Sequence, residues 1–213
     1  MDSNALHIEA WDKAFRHFGK EIPVEDLHRH IGKGGDQYLP VFLDEKEMRD
    51  FSKDLESYRT QLYKEEYLPR VKCFSKVREL FERIKDDGKR ILLASSGKGN
   101  ELEIYQKTAR IEDLVDGVTT SDDAEKSKPH PDIFEAALQS LDGVPASAAV
   151  VVGDTPYDIE AAAKAGLRTI GVLCGGFSEE DLRRAGAIAI YRDPADLLEQ
   201  YESSPIARNG ATP

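Results

Sequence analysis

The chain has 213 residues, of which 40% are hydrophobic and 32% charged, a composition typical of a globular protein with a sizeable core. Its formal net charge of −11 argues against non-specific binding to nucleic acid or to an anionic membrane, although basic groups inside a cleft can still attract an anionic substrate. No apolar run approaches the roughly 20 residues of a membrane span, and the N-terminal segment lacks the basic and apolar regions of a signal peptide.

Residues 1–70 are predicted to form a small all-helical domain without strands. Trp11, Ala14, Phe15 and Phe18 follow the i, i+3, i+4, i+7 pattern of one helix face, which predicts a first helix from Asn4 to Phe18. Three further helices are predicted over the segments VEDLHRHIG, GGDQYLPVFL and EKEMRDFSKDLESYRTQLYKEEYL. The helical periodicity breaks near position 70.

Residues 71–201 alternate between helical segments and short apolar runs rich in β-branched residues. The runs KRILLAS, GVTTSDD, AAVVVGD, RTIGVL and AIAIY are predicted strands, and each is separated from the next by a helical or loop segment. This alternation predicts an α/β domain with a Rossmann-like, doubly wound parallel sheet. Residues 202–213 are predicted to be a disordered tail.

The cysteines of the chain, Cys73 and Cys174, lie far apart and show no metal-ligand spacing. We expect both to be reduced thiols in a cytoplasmic protein. Neither the composition nor the motifs distinguish a monomer from a homodimer.

The segment after the first predicted strand, Ser95-Ser96-Gly97-Lys98-Gly99-Asn100, combines hydroxyl groups with flexible glycines before a helix. Free N–H groups at such a helix start suit a bound phosphate. An ordinary strand-to-helix turn with a serine N-cap explains the segment equally well.

The segment Gly153-Asp154-Thr155-Pro156-Tyr157-Asp158 follows a later strand. Thr155 is suited to the N-cap and Pro156 to the first helical position, so Asp154 and Asp158 are expected to converge at the strand end. Two such carboxylates suit a hard divalent cation, Mg²⁺ above all. A favourable interaction with the helix dipole would account for Asp158 but not for Asp154.

Between these motifs, Lys128 lies in the segment KSKPHPDIF, just before a helix that begins near a proline. Such a lysine can neutralise a carboxylate or a phosphate. A solvated surface lysine is an equally good interpretation of the local sequence.

The order of a hydroxyl group, a lysine and two acidic residues along an α/β chain resembles the haloacid dehalogenase-like hydrolase superfamily. The matching residues are Ser95 in ILLASSG, Lys128 in KSKPHPDIF, and Asp154 and Asp158 in VVGDTPYD, and the resemblance spans about residues 2–201. It implies a capped phosphoglycolate phosphatase-like or β-phosphoglucomutase-like protein. Residues 1–70 would be the cap, with residues 1–3 as its hinge to the core.

This resemblance implies Mg²⁺-dependent hydrolysis of a small phosphate monoester through an aspartyl-phosphate. Asp154 and Asp158 would serve the metal, Ser95 with the Ser96 and Gly97 amides would hold phosphate oxygens, and Lys128 would stabilise negative charge. For the substrate, the resemblance implies roles for His7 at the cleft edge and for Lys33 in a glycine-rich cap loop. A polar surface histidine and a solvated loop lysine are the simpler interpretations of these two residues.

The superfamily's D-x-D-G-T motif, which carries its nucleophile and its acid/base aspartate, has no counterpart in this chain. In relatives that motif ends a first, central strand, and the DS of Asp2-Ser3 follows it closely. We therefore expect a start-site truncation, no turnover by these 213 residues, and a gap between the strands that precede Ser95 and Asp154. The absent strand would contribute about 8–15 kcal/mol, from roughly five buried side chains at about 1.5–3 kcal/mol each.

Two alternatives stay open at this stage. One is a sugar phosphomutase of the same superfamily, and the other is a non-catalytic member that binds a ligand or a partner. A dehalogenase is disfavoured, because that branch uses no metal and the acidic motif indicates one.

Overall fold

The computed structural model describes residues 1–208, which form a helical layer followed by an α/β layer. The α-helices are α1 (Asn4–His17), α2 (Val24–His30), α3 (Gly35–Phe42), α4 (Glu45–Leu62), α5 (Val77–Asp86), α6 (Gly99–Ala109), α7 (Asp132–Gln139), α8 (Pro156–Lys164), α9 (Glu179–Ala185), α10 (Pro194–Glu199) and α11 (Pro205–Arg208). The strands are β1 (Leu92–Ala94), β2 (Gly117–Thr119), β3 (Val150–Gly153), β4 (Arg168–Val172) and β5 (Ala189–Tyr191). Within residues 1–208, no helix has both the length and the apolar character that crossing a membrane requires.

The helical layer forms because each of its helices buries one apolar face. In α1 the predicted face holds Trp11 and Phe15, which pack with Tyr38 of α3; the Trp11 and Tyr38 rings lie 4.8 Å apart between centroids. Helix α4 begins with a capping box in which Asp44 accepts from the Glu47 amide and Glu47 accepts from the Asp44 amide.

The last predicted helix of this layer ends earlier than its sequence pattern indicates. Helix α4 stops at Leu62, and a π-helical turn (Tyr63–Tyr67) and a 3-10 turn (Leu68–Arg70) follow it. Pro69 lacks an amide hydrogen and disfavours the α conformation of Leu68, so a regular helix cannot continue there.

The strands of the α/β layer are parallel, as predicted, and belong to two separate sheets. One sheet pairs β1 with β2, and the other has the order β3-β4-β5. Helices cover both faces of the three-stranded sheet. On one face Leu80 of α5 and Leu197 of α10 pack with Ile170, and on the other Ile133 of α7 packs with Ala162 of α8.

An apolar cavity of about 680 Å³ lies between the two sheets. Its walls include all three residues of β1 and Val150, Val151 and Val152 of β3. Within residues 1–208, β1 and β3 do not pair with each other. The gap therefore lies between the strands that precede Ser95 and Asp154, where the sequence predicts it.

The prediction of a disordered tail over residues 202–213 is wrong for residues 202–208. This segment contains α11, and Ser204 and Ile206 are buried. Ile206 belongs to the cluster of Leu80 and Tyr201, so burial of its side chain orders the segment. Residues 209–213 lie outside the described residues. Cys73 and Cys174, in the described part of the chain, are both free.

Candidate active site

Lys128 and Asp158 form a buried ion pair below the carboxyl end of β3. The Lys128 ammonium lies 2.6 Å from Asp158 Oδ1, and their side chains are only 10% and 9% exposed. Asp158 Oδ2 accepts hydrogen bonds from the Thr155 amide (3.0 Å) and the Thr155 hydroxyl (2.8 Å). Burial by itself would raise the pKa of Asp158, but the ammonium of Lys128 and the donors of Thr155 hold it below its usual value.

Lys128 is therefore paired with a carboxylate and is not a solvated surface lysine. Asp158 is ionised and serves as the acceptor of both the lysine and the N-cap of α8. The capping box between Thr155 and Asp158 fixes the first turn of α8 and, with it, the carboxylate position.

Asp154 directly follows β3 and lies beside this pair. Burial, together with the neighbouring Asp158 carboxylate, raises the pKa of Asp154 to about 6 against the opposing charges of Lys128 and the N-terminal amine. The Asn4 side-chain amide donates to Asp154 Oδ2 (3.3 Å) and to the Gly175 carbonyl (3.0 Å). The first residue of the helical layer is thus tied to an acidic residue of the α/β layer.

The donor set at Asp154 fits a divalent cation that keeps part of its own hydration. Its carboxylate is a hard oxygen ligand, and burial and the Asp158 charge, which raise its pKa, are effects that a bound cation would offset. Both oxygens of Asp158, in contrast, already accept hydrogen bonds. Among residues 1–208 no cluster of three or more His, Cys, Asp or Glu side chains forms a protein cage for a metal. Mg²⁺ needs no such cage, because it commonly takes one or two carboxylates together with waters and substrate phosphate.

The loop after β1 faces the same cavity as Asp158. Ser95 and Asp158 both line it. The Ser95 Oγ accepts a hydrogen bond from the Gly97 amide (3.0 Å), so its own proton is available to a ligand. The Gly97 amide therefore already donates to Ser95, whereas the family resemblance implies that it holds phosphate. Ser96, between Ser95 and Gly97, is partly exposed.

The cap loop that carries Lys33 rests on the α/β layer next to Asp158. The Lys33 ammonium lies 4.8 Å from the centre of the Tyr157 ring and 3.1 Å from His30 Nδ1. Burial lowers the pKa of Lys33. Gly32 faces Thr155 so closely that a Cβ there would lie 2.8 Å from its methyl group. The loop thus contacts the first turn of α8, which holds Asp158.

His7 lies deeper in the helical layer than its predicted position at the cleft edge. Its ring stacks on Tyr63 with centroids 4.0 Å apart, and its Nδ1 contacts the Arg59 guanidinium. Burial, together with the charge of Arg59, lowers the pKa of His7 well below its ordinary value, so His7 is neutral and accepts from Arg59.

Arg59 is a residue that the sequence patterns do not single out. Its guanidinium lies over the rings of Trp11 and Tyr63, and its buried Nε has no hydrogen-bond partner among the described residues. The charge of Glu101 in α6 acts on Arg59, and a Cβ at Gly97 would lie 3.4 Å from Glu101 Oε2. A buried cation with an unsatisfied donor therefore lies on the cap side of the Ser95–Gly97 loop.

Gly153 is required because the backbone of β3 closely approaches Asp158. A Cβ at Gly153 would lie 2.5 Å from the Cβ of Asp158, whereas at Gly117 in β2 the nearest atom would be 3.5 Å away. We expect Gly153→Ala to lower the free energy of unfolding by about 1–3 kcal/mol through overpacking. Gly117→Ala should stay within about 1 kcal/mol of the parent. Urea titrations of both variants measure the difference, and equal effects would contradict the close approach.

Comparison with known proteins shows the family to which the chain belongs. The sequence pattern of the family described as haloacid dehalogenase-like hydrolase matches residues 1–172. The phosphorylated carbohydrates phosphatase of Thermotoga maritima is 31% identical over 205 residues, covering 93% of this chain and 91% of that protein. A hydrolase from Pseudomonas syringae has a similar structure, with a TM-score of 0.84, 27% identity and coverage of 95% and 92% of the two chains. CbbY from Rhodobacter sphaeroides shares the fold, with a TM-score of 0.69, 24% identity and coverage of 92% and 90%.

The fold is that of an α/β hydrolase, and the chain belongs to the haloacid dehalogenase-like hydrolase family. It is an enzyme by family, and its relatives include phosphatases. The fold expected from the sequence resemblance is confirmed.

Proposed function

We propose that this active site, when completed by the family's aspartate nucleophile, hydrolyses small phosphate monoesters with the help of Mg²⁺. The observation that carries the proposal is that Ser95 and Asp158 line one cavity at the strand ends, while Lys128 is paired with Asp158 and the charges of both act on Asp154. In parallel sheets this is where ligands bind. The name of the Thermotoga maritima relative, which refers to phosphorylated carbohydrates, supports a small phosphorylated metabolite as substrate.

Each residue then has a distinct part. Asp154 would hold the metal, and Asp158 would support it through the turn that Thr155 and Lys128 fix. Bound Mg²⁺ would neutralise charge on the phosphate oxygens. Ser95 would donate its hydroxyl proton to the phosphate, since its oxygen already accepts from Gly97. Lys128 would keep the carboxylate beside it ionised and lower the cost of further negative charge.

Residues 1–213 contain no Asp-x-Asp segment, so the aspartate nucleophile of the family's reaction is absent. We therefore propose that this chain by itself binds metal and phosphate weakly and releases no phosphate from an ester. Inorganic phosphate release from p-nitrophenyl phosphate and phosphoglycolate, with and without Mg²⁺, tests this directly. Turnover above the buffer rate would refute it, and isomerisation of a sugar phosphate without release would favour a phosphomutase.

Metal binding tests the role of Asp154 independently of turnover. We expect Asp154→Asn to weaken Mg²⁺ binding by about tenfold or more, measured by calorimetry in the presence of inorganic phosphate, because the charged oxygen ligand is lost. Asp142→Asn, an isosteric change at an exposed carboxylate, is the matched control and should bind as the parent does. If both variants bind Mg²⁺ equally well, the assignment of Asp154 fails.

Arg59 points to substrates that carry a second anionic group besides the phosphate. A buried guanidinium with a free Nε gains most from a ligand carboxylate or phosphate. We expect Arg59→Met to weaken binding of phosphoglycolate by about 10- to 100-fold, the value of a charge-assisted hydrogen bond, and to leave methyl phosphate binding unchanged. Arg59→Lys keeps the charge, so its affinity for phosphoglycolate should lie between that of the parent and that of Arg59→Met. Equal losses for both ligands would show that Arg59 acts only on the fold.

The alternative of a non-catalytic member predicts the same binding results without turnover, even with a complete site. The cytoplasmic location and the monomeric or homodimeric state stay predictions.

A further inference from the structure

Two pairs of side chains face each other across the boundary between the helical layer and the α/β layer. Arg59 and Tyr63 lie one turn apart, and the Tyr63 amide donates to the Arg59 carbonyl, so both side chains share one face of the helical segment. Glu101 and Tyr105 have the same spacing in α6. The Tyr63 and Tyr105 hydroxyl groups are 2.7 Å apart and join the two pairs. Arg59 and Glu101 therefore lie at the same boundary, one turn from this contact.

Arg59 and Glu101 carry opposite charges, and both have unused hydrogen-bonding capacity. The buried Nε of Arg59 has no partner among residues 1–208. Glu101 is only 5% exposed, and its carboxylate makes no hydrogen bond or ion pair in the described part of the chain. Burial lowers the pKa of Arg59, and the charge of Glu101 is the strongest of the charges that oppose this shift. Because a charged group removed from water needs polar partners, both side chains can still bind a polar group of a ligand.

The position of Glu101 in its helix does not explain its burial. Glu101 lies in the first turn of α6, where a carboxylate interacts favourably with the helix dipole. That interaction requires no burial, since the side chain of Glu179 occupies the first turn of α9 at 54% exposure. The dipole therefore accounts for an acidic residue at this position but not for a buried carboxylate on the side of Arg59.

Glu101 also lies beside the loop that is proposed to hold phosphate. A Cβ at Gly97 would lie 3.3 Å from Ser95 Oγ and 3.4 Å from Glu101 Oε2, so one loop residue closely approaches both groups. Arg59 lies beyond them, in the helical layer. A ligand that extends from Ser95 towards Arg59 thus passes the Glu101 carboxylate.

The charge of Glu101 restricts which ligands fit this path. A carboxylate accepts hydrogen bonds and donates none, so a hydroxyl or an ammonium group of the ligand can bind to it. An anionic group that reaches Arg59 without such a donor beside it is repelled by Glu101 and leaves this carboxylate without a partner.

We propose that Glu101 is a specificity-determining residue, which selects phosphate monoesters that carry a hydrogen-bond donor, a hydroxyl or an ammonium group, between the phosphate and a second anionic group. Arg59 binds the second anionic group, and Glu101 binds the donor. The inference rests on the proposed function, because it takes the Ser95 loop as the phosphate site.

Three ligands of equal length test this selection by equilibrium binding to the full chain. In 3-phosphoglycerate, O-phosphoserine and 3-phosphonooxypropanoate, the carbon next to the carboxylate carries a hydroxyl, an ammonium or only hydrogen. Their dissociation constants are measured by calorimetry with Mg²⁺ at pH 7. We expect 3-phosphoglycerate or O-phosphoserine to bind about tenfold or more tightly than 3-phosphonooxypropanoate, the value of a charge-assisted hydrogen bond. The tighter of the two identifies the donor that the site prefers.

Variants assign this preference to Glu101. Glu101→Met should abolish it and should bind 3-phosphonooxypropanoate more tightly than the parent does, because the repelling charge is gone. Glu101→Gln keeps the shape and one acceptor oxygen, so it should lose the preference for an ammonium and retain part of that for a hydroxyl. Glu103→Gln changes an exposed carboxylate of the same helix and should keep the preference of the parent.

The outcomes separate this inference from the proposed function. Equal binding of the three ligands by the parent would overturn the role of Glu101 and leave the phosphate site standing, as would a preference that is undiminished in both Glu101 variants. If neither the three ligands nor inorganic phosphate binds to the parent, the phosphate site itself is refuted, and the role of Glu101 with it.

Discussion

Replacing Lys128 with methionine should lower the free energy of unfolding by about 3–5 kcal/mol, because it leaves the Asp158 carboxylate buried without its counter-ion. The size of the effect rests on burial. Both side chains are at most 10% exposed, so solvent cannot take over the role of the ammonium. Exposed pairs in this chain, such as Lys13 with Glu66, have no such protection from water and should contribute at most about 1 kcal/mol.

A double-mutant cycle with Asp158→Asn tests whether loss of the Lys128–Asp158 ion pair causes the lower free energy of unfolding. Asparagine keeps the shape at position 158 and removes the charge, so Lys128→Met should cost much less in the Asp158→Asn background than in the parent. Urea unfolding of the four proteins at pH 7 gives the coupling energy. Strictly additive effects would mean that Lys128 stabilises the fold through packing of its stem alone.

The sequence predicts the elements well wherever their signal is local. The periodic face of Trp11 and Phe15 gives α1 within one residue of its observed end, and the apolar runs before Ser95 and Asp154 give β1 and β3. Local signals fail at boundaries that tertiary contacts decide. Helix α5, for example, begins only at Val77, because Lys76 adopts a left-handed conformation with φ of 62°.

The sequence identifies most residues of the candidate site, but it does not identify which of them contact each other. The N-cap pattern of Thr155 correctly orients Asp158, since capping spans three residues. The contact of Lys128 with Asp158 spans 30 residues and depends on how α8 and the preceding loop pack. The sequence therefore leaves a carboxylate, a phosphate and solvent all open as partners of Lys128. Arg59 escapes notice for the same reason: its aromatic neighbours come from α1 and from the turn after α4.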